Sequence, residues 1–401
     1  MDFNDSPEEA EYRATARAWL EKNTAEHKAE AHADDMAAGK AWQRRKAEAG
    51  YAQITWPKEW GGAGGTPIQS VIFGQEEAKF PVNYGYFTIG LGMCVPTVMA
   101  FADDETKKRF VGPALRGEEI WSQLFSEPAG GSDVAAIRTK AVRNGDDWVI
   151  NGQKVWTSGA HYSDYGIVLV RTNPDVPKHK GLTMFWLDLK SPGVEIRPIH
   201  QMSGGSNFNE VYFTDVRIPD AQRLGAVDDG WKVALVTLMN ERLAVGGSRG
   251  VGPEEILSLA RDMDAADGPL LKDSAFRQRL ADWYVQSQGL SNTRMRTMTA
   301  LSRGQTPGPE SSIGKIIAAN QMQELGNAAV EAGDQYGIIA DPKLAALKGL
   351  FQGAVMNAPG LRIAGGTDEI LKNIIAERVL GMPGEIRTDK DAAFKDLATG
   401  R

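Results

Sequence analysis

Helical spacing of apolar residues dominates the first part of the chain. Apolar residues recur every three to four positions over residues 12–20, and Ser6 followed by Pro7 is typical of a capped helix start. The helical pattern continues to about Gly117, with one interruption by turn residues at 56–65. Because that glycine-rich interruption does not show the strand, GxGxxG and helix order of a dinucleotide fold, it predicts a loop. The first part of the chain is therefore predicted to be helical.

The pattern changes at about residue 120, where short runs of β-branched and aromatic residues alternate with Pro, Gly and Asp turns. Residues 148–150 and 154–156 flank Asn151 and Gly152, a dipeptide that predicts a two-residue type I′ hairpin turn. Further strands are predicted from three apolar runs, at residues 166–170, 182–187 and 211–213. This part of the chain is therefore predicted to be a β domain of about one hundred residues.

Helical period returns at Trp231 and holds to Val379, with breaks near 265–269 and 305–309. The sequence after Met382 is polar and is predicted to be a mobile tail. The chain is thus predicted to be an α+β protein. Its predicted parts are a helical domain at residues 1–119, a β domain at 120–225, a second helical domain at 226–383 and a tail at 384–401.

Composition narrows the class of protein. The 401 residues are 42% hydrophobic and 24% charged, and the formal net charge of −7 argues against nucleic-acid binding. The single cysteine, Cys94, excludes an internal disulfide framework, and the five histidines show no metal-ligand spacing. The acidic, helical N-terminus does not resemble a signal peptide, and no apolar run has membrane-spanning length. We therefore expect a cytoplasmic protein without a metal.

Two segments carry the candidate chemistry. Residues 125–134 read Phe-Ser-Glu-Pro-Ala-Gly-Gly-Ser-Asp-Val, and residues 151–159 read Asn-Gly-Gln-Lys-Val-Trp-Thr-Ser-Gly. Loop amides and hydroxyls can bind the edge of a flat, polar, aromatic cofactor, and an indole can cover its face. The alternatives are structural: the glycine-rich loop can be an ordinary β-turn, and Trp156 can be a core residue.

The same two segments resemble the acyl-CoA dehydrogenase family, in which this pair holds the flavin. Further segments carry the resemblance over nearly the whole chain, at residues 54–62, 115–119, 364–370 and 374–381. The resemblance implies an N-terminal helical domain, a middle β-barrel and a C-terminal four-helix bundle. It also implies FAD-dependent oxidation of an acyl-CoA thioester to the trans-2-enoyl-CoA, with the β-hydride passing to flavin N5 and the electrons to an electron-transfer flavoprotein.

Carried over by position, the resemblance implies three groups of FAD-binding residues. They are Phe125, Ser126, Gly131 and Ser132 at the flavin edge, Trp156, Thr157 and Ser158 over the ring and its pyrimidine side, and Thr367, Asp368 and Glu369 along the dinucleotide. Ser132 is also expected near the thioester, with Arg242 and Gly366 as further substrate contacts. The alternative for Thr367 and its two acidic neighbours is the capping of a helix.

The base that removes the α-proton needs a separate argument. Most of the family carries it as a Glu two places before the Thr of the C-terminal Gly-Thr motif, where this chain has Gly365. A minority, including isovaleryl- and long-chain-type enzymes, carries the Glu in a Glu-Arg pair on a helix, as in Glu241-Arg242. Gly365 would leave space for that carboxylate, and its backbone N–H can polarise the thioester carbonyl.

The residues around Glu241 support this assignment independently. On a helix its neighbours at three and four positions are not basic: Thr237, Leu238, Ala244 and Val245. A carboxylate on an apolar face is costly without a partner, and desolvation raises its pKa towards that of a base working near neutral pH. The alternative is a structural salt bridge to a remote Arg or Lys. We therefore predict catalysis by Glu241, with Gly365 assisting.

The resemblance to the family is weaker in two segments. In many relatives, the corresponding segments of a neighbouring subunit bind the adenylate half of FAD. Residues 261–268 lack the expected Phe and carry added acid, and residues 333–337 are also altered. The sequence is compatible with a homodimer, a homotetramer or a heterotetramer with a related subunit. It is also compatible with two alternative functions, an oxygen-using oxidase and a non-catalytic subunit. Small residues at 246–250 either widen the acyl pocket, or allow close packing against another helix or a break in their own helix.

Overall fold

The computed structural model describes residues 4–82, 84–245, 251–265, 268–305, 308–309, 312–387 and 389–397, with backbone alone at 241–245 and 265. Contacts divide the chain into two compact units. The larger unit comprises residues 4–201, 205–244 and 386–401, and the smaller is formed mainly by residues 245–385. Among the described residues, each helix is too short or too polar to span a lipid bilayer.

The larger unit begins with five helices. They are α1 (Pro7–Ala29), α2 (Asp35–Glu48), α3 (Pro67–Glu77), α4 (Val95–Phe101) and α5 (Asp104–Leu115), with a 3₁₀ turn at Lys58–Trp60 and a π turn at Gly90–Cys94. The predicted capped start is confirmed, because the Ser6 hydroxyl accepts from the Glu9 N–H and the Glu9 carboxylate accepts from the Ser6 N–H. Leu20, Trp42 and Phe73 form the centre of a buried apolar cluster between these helices.

The β domain of the larger unit is one sheet. Its strands are β1 (Trp121–Leu124), β2 (Lys140–Asn144), β3 (Asp147–Lys154), β4 (Tyr165–Arg171), β5 (Leu182–Asp188), β6 (Val194–Ile199), β7 (Phe208–Pro219) and β8 (Arg223–Leu224). The order across the sheet is β6-β7-β3-β2-β4-β5-β8, and β1 pairs in parallel with β4. The apolar runs predicted as strands are therefore strands, and their inward side chains fill two buried clusters.

The predicted hairpin turn at Asn151 and Gly152 is wrong. Strand β3 continues through both residues, and the turn that joins β2 to β3 contains Gly145 instead, with a φ of +65°. Gly152 is explained by close approach, because a Cβ at this position would lie 2.6 Å from the Cα of Thr139. A bulge in the β3–β7 pairing also falls between Ile150 and Gly152.

Helix α6 (Gly230–Val245) follows the sheet, and its Val233 and Ala234 are buried in the apolar cluster shared with β4 and β5. The described residues of the smaller unit form five α-helices. They are α7 (Pro253–Arg261), α8 (Ser274–Ser302), α9 (Ser312–Ala332), α10 (Leu350–Ile363) and α11 (Asp368–Arg378). The predicted break near residue 265 is a short ribbon of β9 (Asp264–Ala265) and β10 (Gly268–Pro269).

The prediction of a mobile C-terminal tail is wrong for residues 389–397. The Phe394 ring lies under the guanidinium of Arg171, 3.8 Å from its Cζ, and the Phe394 N–H donates to the carbonyl of Val176 at 2.9 Å. The carboxylate of Asp389 pairs with the ammonium of Lys178. A second ion pair joins Lys395 to Asp175. One aromatic ring and two ion pairs therefore anchor this otherwise polar segment to the β domain.

Candidate active site

The structure brings the two candidate segments together just after the ends of strands β1 and β3, which do not pair with each other. Strand β1 leads into Phe125, and strand β3 leads into Val155. The Val155 N–H donates to the carbonyl of Ser126 at 2.9 Å, and the Lys154 ammonium donates to the carbonyl of Phe125 at 3.0 Å. The backbone at Phe125 and Ser126 is therefore fixed by the residues just before Trp156.

A buried ion pair lies behind this junction. The ammonium of Lys154 is 2.8 Å from Oε1 of Glu127, and the Glu127 carboxylate also accepts from the backbone N–H groups of Arg138 and Thr139. Burial alone would raise the pKa of Glu127, but Lys154 and these donors hold that pKa below its usual range. We did not predict this pair from the sequence. Alternation along β3, where Trp148, Ile150 and Lys154 are all buried, is the signal that identifies it.

The glycine-rich segment does form a β-turn. Glu127 and Gly130 exchange backbone hydrogen bonds of 2.9 and 3.0 Å, and Gly131 and Ser132 follow the turn on the surface. Beyond them, the Asp133 carboxylate pairs with the ammonium of Lys178 at 2.6 Å. A β-turn in this place leaves the Ser132 side chain accessible, so the structural and the cofactor interpretations are compatible.

Trp156 is not a core residue. Its side chain is 58% exposed, and its φ of +57° lies in the left-handed region, where a non-glycine residue is uncommon. The Phe208 ring meets the indole edge to face, with 5.9 Å between the ring centroids. A strained backbone that holds a large aromatic side chain out of the core fits a binding surface for a flat ligand.

Thr157 carries a buried hydroxyl without a partner. Its side chain is 1% exposed, and Oγ1 makes no hydrogen bond with any described residue. Its backbone is tightly held, because the Thr157 N–H donates to the carbonyl of Asn209 and the Asn209 side chain donates back to the Thr157 carbonyl at 2.9 Å. The next residue, Ser158, has its carbonyl bonded by the hydroxyl of Ser122 at 3.0 Å.

A buried orphan hydroxyl beside an exposed indole is what a flat cofactor with a polar edge requires. The cofactor would restore the missing hydrogen bond at Thr157 and cover the exposed face of Trp156. The residues present therefore fit a flavin ring. Asn209, which fixes the Thr157 backbone, was not predicted from the sequence, because it lies on β7, far from both motifs along the chain.

The C-terminal motif belongs to the smaller unit. Gly365 and Gly366 have φ values of +66° and +93°, a conformation that favours glycine. The Thr367 hydroxyl accepts from the N–H of Ile370 at 3.2 Å and so caps α11, as the structural alternative expects. The ammonium of Lys315 donates to the carbonyl of Gly366 at 2.6 Å. The glycine pair is therefore held from both sides.

Asp368, in the first turn of α11, is buried within a polar cluster. Its carboxylate accepts from Nε of Arg362 at 2.8 Å and from the side-chain amide of Asn320 at 3.2 Å. Although burial would raise the pKa of Asp368, these donors and Lys315 lower it. Glu369 is exposed beside it. The Asp368 side chain thus has a structural role, whereas Glu369 faces solvent.

Helix α6 carries position 241. One turn earlier, the buried hydroxyl of Thr237 lies 2.8 Å from that of Thr97, and Leu238 packs against the apolar cluster. The side chains of Glu241 and Arg242 are outside the described part of the structure, as are residues 246–250, to which the pocket-widening prediction applies. The backbone shows that residue 241 is helical, as its proposed role requires.

The two altered segments both lie in the smaller unit. Residue 261 ends α7, and residues 264, 265 and 268 lie in the β9–β10 ribbon. In the segment 333–337, a 3₁₀ turn places the Tyr336 side chain 69% exposed, after Asp334 with a φ of +46°. These features leave the prediction of an altered adenylate site untested.

The chain belongs to the acyl-CoA dehydrogenase family. Sequence profiles of the N-terminal, middle and C-terminal acyl-CoA dehydrogenase domains match residues 6–118, 122–216 and 228–380. The predicted three-part fold and the predicted enzyme class are therefore confirmed, and FAD is the cofactor of this family. Its members dehydrogenate acyl-CoA.

Mycobacterial relatives are similar over most of the chain. Acyl-CoA dehydrogenase IpdE1 of Mycobacterium tuberculosis is 36% identical, over 94% of this chain and 98% of that protein. Acyl-CoA dehydrogenase FadE34 of the same organism is 39% identical over 84% of this chain, which spans only 45% of that relative. A chain of the crystallised ChsE4-ChsE5 complex from Mycobacterium tuberculosis superposes with a TM-score of 0.76 at 27% identity, covering 96% of this chain and 100% of that chain.

Proposed function

We propose that this chain oxidises an acyl-CoA thioester to the trans-2-enoyl-CoA, with Glu241 removing the α-proton. One observation carries the cofactor half of the proposal: the buried hydroxyl of Thr157 has no partner beside the exposed indole of Trp156. The base half depends on sequence position and local helix structure. When bound, FAD supplies the acceptor for the β-hydride.

The β domain binds and orients the ring in this proposal. Trp156 covers one face, and Thr157 and Ser158 bond the polar edge, on a backbone that Asn209 and Ser122 hold in place. The flavin-edge residues on the other segment are Phe125, Ser126, Gly131 and Ser132. Because the Lys154–Glu127 pair fixes the Phe125 carbonyl, this edge is rigid before the cofactor arrives.

Gly365 supplies no carboxylate at the position where most of the family carries the base, so Glu241 takes that role in this proposal. A Glu in place of Gly365 would bring its own carboxylate, whereas glycine brings none and adopts the observed φ of +66° without strain. The Gly365 N–H polarises the thioester carbonyl and so stabilises the negative charge that develops there. General-base catalysis of this type contributes about 10²–10⁴-fold to a rate.

The remaining contacts are assigned by position, from the resemblance to the family. Ser132, Arg242 and Gly366 contact the thioester and the coenzyme A portion. The set Thr367, Asp368 and Glu369 lies along the dinucleotide. Since the Asp368 carboxylate is held by Arg362, its contribution would come from its backbone N–H, at the N-terminus of α11, where a helix favours phosphate.

We propose an assembly with a related subunit, and an electron-transfer flavoprotein as the acceptor. The solved ChsE4-ChsE5 structure is named as a complex of two different proteins, and one of its chains shares the fold over 96% of this chain. The added acid in residues 261–268 supports the same idea, because extra carboxylates disfavour a pyrophosphate. A partner chain would then complete the adenylate side.

Anaerobic reduction by acyl-CoA tests the proposal. The wild-type holoprotein should lose its yellow colour with a suitable acyl-CoA, and Glu241→Gln should keep bound FAD but stay yellow. Bleaching that persists in Glu241→Gln would overturn the base assignment. Straight, branched and cyclic acyl-CoAs should be compared, in order to identify the type of acyl chain that reduces the flavin.

Two controls separate the alternatives. Hydrogen peroxide formation without an added acceptor would identify an oxidase. Absence of flavin in the chain purified alone, with activity only after co-expression with a related subunit, would identify a subunit that is not catalytic by itself.

A further inference from the structure

A cluster of three potential metal ligands lies at the C-terminal end of α1, far along the chain from the motifs above. Nδ1 of His27 is 3.7 Å from Oε2 of Glu30, and Nε2 of His32 is 3.6 Å from the same oxygen. The three ligand atoms all lie within 4.8 Å of one another. Imidazole nitrogen and carboxylate oxygen are typical zinc ligands.

Two of these atoms have no hydrogen-bond partner. The His27 side chain is 3% exposed, and within the described structure neither its Nδ1 nor Nε2 of His32 makes a hydrogen bond. The distances to Glu30 are too long for hydrogen bonds. Two buried nitrogens that face one carboxylate without bonding it leave a gap that a cation can fill.

The other nitrogen of His27 is already engaged. Nε2 of His27 lies 2.9 Å from the hydroxyl oxygen of Tyr84. If Nε2 donates this bond, Nδ1 carries a free lone pair directed at the cluster, as in metal sites whose histidines are oriented by an outer hydrogen bond.

The charges around the cluster set its expected strength. Arg45 binds the second oxygen, Oε1, of Glu30 and leaves Oε2 directed at both imidazoles. The guanidinium weakens binding of a cation, whereas the C-terminal end of α1, where the His27 carbonyl accepts from the Glu30 N–H, favours it. These opposing effects predict a site of moderate rather than extreme affinity.

We propose that His27, Glu30 and His32 bind a divalent transition-metal ion of the zinc class, with water completing the coordination. Tetrahedral bonds of about 2.0–2.1 Å place ligand atoms about 3.3 Å apart, so the two separations from Glu30, 3.7 and 3.6 Å, must shorten by a few tenths of an ångström, and the two imidazole nitrogens must approach each other as well. The ion would tie the end of α1 to the loop before α2. The sequence analysis predicts no metal, because the five histidines show no metal-ligand spacing.

Metal titration of the untagged full-length chain tests this site without reference to its activity. After treatment with a chelator, the protein should take up a single equivalent of Zn²⁺ in calorimetry and unfold at a higher temperature with the metal than without it. Co²⁺ should give the visible absorption of a tetrahedral site. His32→Ala and Glu30→Gln should each weaken Zn²⁺ binding at least tenfold, because each removes one ligand. These two positions are chosen because they are less buried than His27, so the variants should still fold.

His200→Ala is the matched control, because His200 is exposed and lies in the β domain. It should bind Zn²⁺ as the wild type does. The proposal is overturned if the wild type shows no saturable equivalent, or if His32→Ala and Glu30→Gln bind as tightly as the wild type. Loss of binding in His200→Ala as well would point to a different site and would also overturn it.

Discussion

The ammonium of Lys154 lies 2.8 Å from the carboxylate of Glu127, and both side chains are buried directly behind the backbone of Phe125. The same ammonium bonds the Phe125 carbonyl at 3.0 Å. One ion pair therefore connects the end of β3 to the loop proposed to bind the flavin edge. Its position explains how a polar loop keeps a fixed shape at the end of the apolar sheet.

Lys154→Met should be strongly destabilising, because it leaves the Glu127 carboxylate buried without its cation. We expect a loss of about 3–5 kcal/mol in the free energy of unfolding, together with loss of FAD during purification. Urea denaturation and the flavin-to-protein absorbance ratio measure both effects. Adding Glu127→Gln to Lys154→Met should recover part of the stability. The exposed pair of Arg197 and Glu195 is the control, since Arg197→Met should leave the free energy of unfolding nearly unchanged.

Trp156→Ala should weaken FAD binding while leaving the stability of the apoprotein nearly unchanged, since the indole is mostly exposed. Because φ is +57° at this position, Trp156→Gly should give an apoprotein about 1 kcal/mol more stable than Trp156→Ala. Thermal unfolding of the apoproteins and fluorescence titration with FAD measure these changes. A large loss of apoprotein stability in Trp156→Ala would show that the indole serves packing instead.

Thr157→Val should separate cofactor binding from folding. The variant keeps the side-chain shape but removes a buried hydroxyl that lacks a partner, so apoprotein stability should stay equal or rise by about 1 kcal/mol. Affinity for FAD should fall about tenfold if the cofactor bonds this hydroxyl. Thr157→Ser, which keeps the hydroxyl, should bind FAD almost as the wild type does. Equal FAD affinity in Thr157→Val and the wild type would contradict the assignment.

Glu76 should make the helical part of the larger unit sensitive to acid. Hydrogen bonds from Arg17, and then from Lys79 and Arg13, lower the pKa of this buried carboxyl from 4.5 to about 2, against the opposing effect of burial. A lowered folded-state pKa stabilises the protein above pH 4.5 and loses that effect as the pH falls towards 2.

Glu76→Gln should therefore lower the free energy of unfolding by about 2 kcal/mol at neutral pH, and this loss should become smaller in acid. The figure is lower than the full pKa shift implies, because Arg17 and Lys79 are about half exposed and solvent weakens their interaction with Glu76. Urea unfolding between about pH 7 and 3 gives the difference from the wild type. A difference that stays constant with pH would contradict the pKa assignment. Glu11→Gln, at an exposed position of α1, is the control and should leave stability nearly unchanged.

The elements were predictable where one periodicity extended over many residues. The capped start at Ser6 and the strands β4 and β5 followed from local pattern alone. The turn assigned to Gly152 was wrong because glycine also serves close contact between strands, here against Thr139, and the sequence does not distinguish the two. The predicted mobility of the tail was wrong for residues 389–397, because the Phe394 ring packs against Arg171, at the end of a strand that is distant in sequence.

The candidate site was predictable only as far as its motifs reach. Residues 125–132 and 156–158 were identified by their sequence, but the Lys154–Glu127 pair and Asn209 were not. Their roles depend on contacts between strands that are remote in sequence. The buried hydroxyl of Thr157 likewise became a specific observation only when its surroundings were known.

Exchange of the α-proton tests the central claim most directly. An acyl-CoA analogue with sulfur at the β position cannot release a β-hydride, yet its α-proton remains acidic. In D₂O under anaerobic conditions, the wild-type holoprotein should wash deuterium into the α position, as read by mass spectrometry. FAD-loaded Glu241→Gln should exchange at least about 10²-fold more slowly. Exchange at the wild-type rate in Glu241→Gln would contradict the assignment of Glu241 as the base.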